Sequence, residues 1–249
     1  MILRRVIAHF RKQEWTAIAL DFLIVVVGVF IGIQVSNWND VRRERATEVS
    51  YLQTLQSDFT ISVGLLDEHL AHIAERQEAL SVLANSAKED VKPEDFDGLM
   101  RIGLYELQFL NVHRGAYQAL ENAGRIDVLQ DIALQRSLVD QSNQIAAIRE
   151  YEADMARFQH RWVDEFLLAE YRLGNVVDFD GVEQKKRGGG GEDYRDLLDD
   201  PRIRNLSAFL YDILNEQRAH GVRLRDTYDA SAGQAMARLE QLGNHRKQP

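Results

Sequence analysis

The chain has 249 residues, 30 Lys plus Arg against 39 Asp plus Glu, a formal net charge of −9, and no cysteine. Its length allows one or two domains with a sizeable core, and 45% hydrophobic residues is too many for a disordered acidic chain. The lack of cysteine excludes disulfides, thiolate zinc sites and a cysteine nucleophile, and the acidic balance argues against general nucleic-acid binding.

Residues 1–14 form a basic arm. Ile2, Leu3, Val6, Ile7 and Phe10 alternate with Arg4, Arg5, Arg11 and Lys12 in an amphipathic pattern. Such an arm either lies on an anionic leaflet or only supplies the charges that set topology. Residues 15–38 are predicted as a transmembrane helix. Thr16 to Val35 is apolar apart from Thr16, Asp21 and Gln34, and Phe22 to Asn39 carries no charge. A span of roughly 20 apolar residues crosses a bilayer core as a helix. Trp15 and Trp38 flank the run and suit the two interfaces. The run exceeds a signal-peptide core and no small-x-small site follows it, so it reads as an uncleaved signal anchor. The competing reading is a buried core helix.

Inside the span, Gly28 and Gly32 form a Gly-x-x-x-Gly pair, which lets two helix backbones approach closely. Asp21 is an intramembrane acid. Such a group is a functional candidate, or else it reaches the headgroups from near the end of the span. The basic arm favours a cytoplasmic N-terminus with the long remainder translocated. The first 45 residues hold seven basic and four acidic side chains; the remaining 204 hold 23 basic and 35 acidic.

Residues 39–242 read as an acidic helical bundle. Leu52, Phe59, Leu66, Ile73 and Leu80 recur every seven residues, while the second apolar position drifts through Leu55, Val63, Leu70, Gln77 and Leu83. Drift predicts a helix packed in a bundle rather than a strict two-stranded coiled coil. Asn39 to about Ala87 is predicted to continue the membrane helix. Pro93 marks a break, followed by one or two short helices from Asp95 to Leu110. Arg114 to Ala123 reads as a helix stopped by Gly124. Asp131 caps a long helix to about Tyr171, with a stripe of Leu134, Leu138, Ile145, Ile148, Met155, Trp162 and Phe166. A Gly-rich loop near 185–193 follows. Its glycine run lacks the Lys-Ser/Thr of a phosphate loop. Pro201 opens a last long helix, and residues 243–249 read as a frayed tail.

The motifs of zinc proteases, serine hydrolases and di-iron bundles are not found. His69 and His72 with Glu68 and Glu75 are the best metal candidate, against the commoner reading of an ordinary solvated face. Tyr105, Tyr117, Tyr151, Trp162, Phe166 and Tyr171 are read as core, with an aromatic-lined pocket as the alternative.

Three stretches carry a resemblance. Asp21 to Asp40 places an acid before an apolar span with an inner Gly, then Gln34 and Asn37-Trp38-Asn39. Tyr51-Leu52-x-x-Leu55-x-x-Asp58-Phe59 and Ala116-Tyr117-x-x-Leu120-x-x-x-Gly124-x-Ile126-x-Val128-Leu129 follow. Together they resemble a bacterial domain-of-unknown-function family of single-pass membrane proteins. The match covers the first 60 residues and residues 109–151, and Asp21 stands where the family more often has Glu. The resemblance implies a mainly helical, single-pass membrane protein and brings no activity with it.

The sequence therefore predicts an all-α protein, with one N-terminal transmembrane helix followed by an antiparallel bundle of long helices. The expected function is a non-enzymatic scaffold or protein-interaction module of the cell envelope. The alternative is a small-molecule sensory domain that signals through a partner. Expected partners are the lipid bilayer, a second copy through Gly28 and Gly32, and an envelope protein, with no nucleic acid. No cofactor or metal is expected. The expected location is the inner membrane, with the N-terminus cytoplasmic and the C-terminal domain periplasmic.

Overall fold

The computed structural model describes residues 15–175 and 193–245, with side chains from residue 19 to residue 244. The basic arm 1–14, the Gly-rich loop up to residue 192, the last four residues and the ring of Trp15 lie outside the described parts. The described residues are all-α. The helices are α1 (Trp15–Asn85), α2 (Pro93–Met100), α3 (Gly115–Asn122), α4 (Ile132–Phe158), α5 (Asp164–Glu170) and α6 (Pro201–His245). Short 3-10 turns join several of them, and wide π-helical turns follow α2 at Arg101–Tyr105 and α4 at Gln159–Val163.

The chain divides into two compact units, one up to Ser50 and one from Tyr51. The first unit is helical from Trp15 onward, and its described apolar side chains are not gathered into a core. Leu20, Phe22 to Val27, Val29 to Ile31, Ile33, Val35, Trp38 and Val41 are all exposed. This part of α1 is long and apolar enough to cross a membrane.

The second unit is a bundle of α1 from Tyr51, α4 and α6. Asp67 and Gln77 on α1 meet Arg225 and Asn215 on α6 at 3.1 and 2.6 Å, so these two helices run antiparallel. Gln141 and Tyr151 on α4 bond to Ser231 and Ile213 on α6, which makes that pair antiparallel too. The inward-facing positions are Leu52, Leu55, Phe59, Ser62, Leu66, His69, Ile73, Arg76, Leu80 and Leu83 on α1, where Gln77 and Ala79 are also buried at the edge of the stripe. On α4 they are Leu134, Leu138, Gln141, Ile145, Ile148, Glu152 and Met155, followed by Gln159 in the wide turn after it. On α6 they are Ile203, Ser207, Leu210, Leu214, Gln217, Gly221, Leu224, Tyr228, Ser231 and Ala235. The steps alternate between three and four residues on all three helices. That mean of about 3.5 is the period of a left-handed knobs-into-holes seam. The drift expected on α1 is therefore corrected. Ser62, His69 and Arg76 occupy the second position where the sequence offered Val63, Leu70 and Gln77, and of these Gln77 is itself buried beside Arg76.

Local chemistry explains the element ends. Asp131 Oδ1 accepts the Ala133 and Leu134 amides at 2.8 and 3.2 Å and opens α4 as expected. Gly124, at φ +63°, ends α3 in the left-handed conformation. Pro93 is the first residue of α2 rather than a break before it, a position where its absent N–H costs nothing. The long helix expected from Asp131 to Tyr171 is interrupted by the wide turn at Gln159–Val163, closed by Asp164 N–H on the Gln159 carbonyl. That turn shifts the register. Val163, Phe166 and Leu167 face inward, and Trp162, expected in the core, is 52% exposed. Tyr105 also lies at the surface.

Candidate functional site: the apolar helix and the polar layers

The sites expected in the apolar segment share one helix. At 3.6 residues per turn, positions seven and eleven apart return to the same face within about 20°. Asp21, Gly28 and Gly32 therefore lie on one face of α1. A Cβ added at either glycine meets nothing within 4 Å, so that face is open. Trp38 is exposed, and the Arg42 guanidinium lies 5.8 Å over its ring. Trp15 is the first residue of α1.

The suspected metal group comes apart. His69 is buried and His72 half-buried, while Glu68 and Glu75 point outward. Among the described residues no three potential ligands converge. The aromatic residues also separate. Tyr117, Phe166 and Tyr171 are buried, Tyr151 is half-buried with its hydroxyl on the Ile213 carbonyl at 3.1 Å, and Trp162 faces outward.

The structure instead gathers polar side chains into layers across the bundle core, seven residues apart. At the first layer, Ser62 Oγ accepts the His113 amide at 2.9 Å and donates to the His113 carbonyl at 3.2 Å. Just beside it, Asp58 Oδ2 accepts the Ala116 amide at 2.9 Å, at the start of α3. Arg114 reaches Ser142 Oγ at 2.8 Å and lies 5.5 Å over the Tyr117 ring. Between these groups and Phe59, Gln141 and Tyr228 remains a space of about 10 Å³. That holds about one water molecule, whereas a small-molecule site needs some 300 Å³ or more.

Farther along α4, Glu152 Oε1 accepts the Leu110 amide at 2.7 Å and Gln217 Nε2 at 3.5 Å. Burial pushes this carboxyl up from its ordinary value. On α1, His69 is buried one heptad after Ser62, and burial, with His72 nearby, lowers its imidazole to about 4.

A further heptad on, Arg76 Nε donates to the Gly103 carbonyl at 3.0 Å, and Arg76 Nη2 donates to Gln159 Oε1 at 3.4 Å. Gln159 Nε2 donates in turn to the Leu104 carbonyl. Gly103 and Leu104 sit in the last turn after α2, where carbonyls have no helical partner. A cation there also meets the negative end of the helix dipole. The guanidinium thus serves as a buried C-terminal cap. Burial lowers it to about 10, against the opposing pull of Glu106.

These layers join helices rather than expose a nucleophile or acid to a cleft. Sequence reading missed them because a polar residue within an apolar repeat looks like drift. The signal was nevertheless present, since Ser62, His69 and Arg76 are seven apart, as are Glu152 and Gln159.

Comparison with protein-family models, curated proteins and solved structures finds no match to this chain.

Proposed function

We propose that this chain is a single-pass membrane protein of the bacterial inner membrane whose helical bundle is a non-enzymatic scaffold or docking module in the cell envelope. The carrying observation is the stretch of α1 from Leu20 to Val41, whose large apolar side chains are all exposed. Fourteen such side chains left in water would make a large apolar patch, which soluble chains rarely carry. Bilayer hydrocarbon is the environment that suits them. The basic arm favours the cytoplasm for the N-terminus and the far side for the acidic bundle. The resemblance of residues 21–60 and 109–151 to a single-pass family points the same way.

The open face bearing Asp21, Gly28 and Gly32 supports pairing with a second copy through the membrane helix. A docking role is favoured over a sensory one by the space beside Tyr117, which has room for about one water molecule. Surface side chains such as Trp162, Leu168 and Phe209 offer apolar contacts to a protein partner.

The test is a pair of fusions after Pro249, to alkaline phosphatase and to green fluorescent protein. Active phosphatase with a dark fluorescent protein is the expected result. The reverse pattern overturns the orientation, and release of the chain by alkaline carbonate wash overturns the membrane span.

A further inference from the structure

Just beyond the apolar stretch, one face of α1 concentrates positive charge. At about 100° per residue, Trp38, Arg42 and Arg45 fall within about 60° of one another, and all three are exposed. The Arg42 guanidinium lies 5.8 Å over the Trp38 ring. Asp40 and Glu44 sit more than about 120° round the helix from the centre of this face. Arg43 is on their side and lies 3.9 Å from Asp40. Glu48, a turn beyond Arg45, is buried. Among the described residues, neither Arg42 nor Arg45 has a carboxylate within ion-pairing distance.

The same face continues down the apolar stretch through Ile31, Val27 and Ile24, all exposed. Gln34, also exposed, adds an amide one turn below Trp38. Asp21, Gly28 and Gly32 lie about 90° away, so this face is separate from the one that bears the glycines.

We propose that this face of α1 binds one anionic glycerophospholipid, its phosphate held by Arg42 and Arg45 and an acyl chain laid along Ile31, Val27 and Ile24. The inference rests on the reading of α1 as a membrane span, and it holds for either orientation.

Depth and direction agree with that occupant. Helical side chains lean toward the N-terminus of their helix. For α1 that end is the apolar stretch, so both guanidinium groups are carried back toward the bilayer. Arg42 and Arg45 stand about 6 and 10 Å along the axis from Trp38. With the Trp38 ring at the edge of the hydrocarbon, they reach a headgroup layer about 5–8 Å thick. Gln34 and the indole N–H then face the ester groups.

Charge selects the lipid. The planar guanidinium donates two N–H bonds to one phosphate. A zwitterionic lipid already carries its own ammonium beside the phosphate, so an anionic one gains more from the pair. A free phosphodiester offers the same charge but nothing to the apolar half of the face. Each arginine near an anionic surface is worth about fivefold in binding.

The test is fluorescence of the full chain carrying Trp15→Phe and Trp162→Phe, which leaves Trp38 as its only indole. It is reconstituted in vesicles of phosphatidylcholine with a minority of phosphatidylglycerol, and bromine is placed on the acyl chains of one lipid or the other. Phosphatidylglycerol is expected to be favoured over phosphatidylcholine beside Trp38 by about fivefold or more. Arg42→Gln and Arg45→Gln should each cut that preference severalfold, and Arg43→Gln should leave most of it. Soluble glycerophosphoglycerol in excess should not displace it. Quenching in proportion to bulk composition overturns the lipid site and leaves the span standing. An equal loss in Arg43→Gln reduces the effect to summed charge and also overturns the site. Displacement by the soluble headgroup marks a free phosphodiester as the ligand and overturns the lipid. No quenching by either brominated lipid places Trp38 outside the bilayer and overturns the span together with the proposal.

Discussion

Asp58 on α1 receives the backbone N–H of Ala116 at 2.9 Å, so a side chain 58 residues earlier caps the start of α3. An eight-residue helix is too short to hold itself together in water. Here its first turn is tied to the helix it packs on, and Leu52, Leu55 and Phe59 share one core with Ala116, Tyr117, Leu120 and Leu129. The segments 51–59 and 116–129 thus meet in space. Asp58→Ala removes the cap and should cost about 1 kcal/mol. Asp58→Asn, which keeps an acceptor oxygen, should cost less than half as much. Urea unfolding of the two variants at pH 7 measures the difference, and equal losses would show that the cap contributes nothing.

Arg76 is the most costly side chain to truncate. Arg76→Met keeps much of the volume but strips the Gly103 carbonyl and the Gln159 amide of their buried partner. Each orphaned group costs about 1–3 kcal/mol, so the expected total is about 3 kcal/mol. Arg76→Lys keeps the charge without the fork, and should recover only part of it. A denaturation midpoint for Arg76→Met within error of the parent would refute the capping role.

Two glycines should resist alanine for different reasons. At Gly124, φ +63° strains any residue with a Cβ, with a cost of about 1 kcal/mol. At Gly103 the new Cβ would stand 3.1 Å from Leu83 Cδ1 and 3.4 Å from Leu80 Cδ2. Overpacking of that kind costs about 1–3 kcal/mol. Shortening the neighbour should reverse the second effect but not the first. Leu83→Val is therefore expected to rescue Gly103→Ala partly and to leave Gly124→Ala unrescued, as read by thermal melts.

The common face of Asp21, Gly28 and Gly32 makes opposite predictions for its members. Replacing Gly28 and Gly32 by Ile blocks close approach and should weaken self-association in a membrane reporter several-fold. Pairing on that face also brings two Asp21 carboxylates toward each other, and like charges repel. Asp21→Asn should therefore strengthen the association. A parallel weakening in both variants would place the contact on another face.

Trp162 measures how far the sequence could be read. The element order, the caps at Asp131 and Gly124, the Pro201 start of α6 and the continuation of α1 into the bundle were all visible as local chemistry. Register across a wide turn was not. Leu134, Leu138, Ile145, Ile148 and Met155 were correctly placed inside, but the turn at Gln159–Val163 adds a residue and rotates the next position outward. The polar layers failed to register for a related reason. Burial of Ser62 and Arg76 depends on partners more than 25 residues away, such as His113 and Gly103. As a check on the turn, Trp162→Ala should change stability by no more than about 0.5 kcal/mol. Its fluorescence should be readily quenched by iodide.

The antiparallel pairing of α1 with α6 also sets a schedule for biosynthesis. Asp67 must wait for Arg225, 158 residues later, before that contact forms. At about 5–20 residues per second, the inner stripe of α1 has emerged some 8–30 seconds before its cover exists. In that interval Leu52, Phe59, Leu66, Ile73 and Leu80 lack the α6 side of their cover. A chain halted before Pro201 therefore keeps one side of that stripe open, and its bundle cannot close until α6 is made.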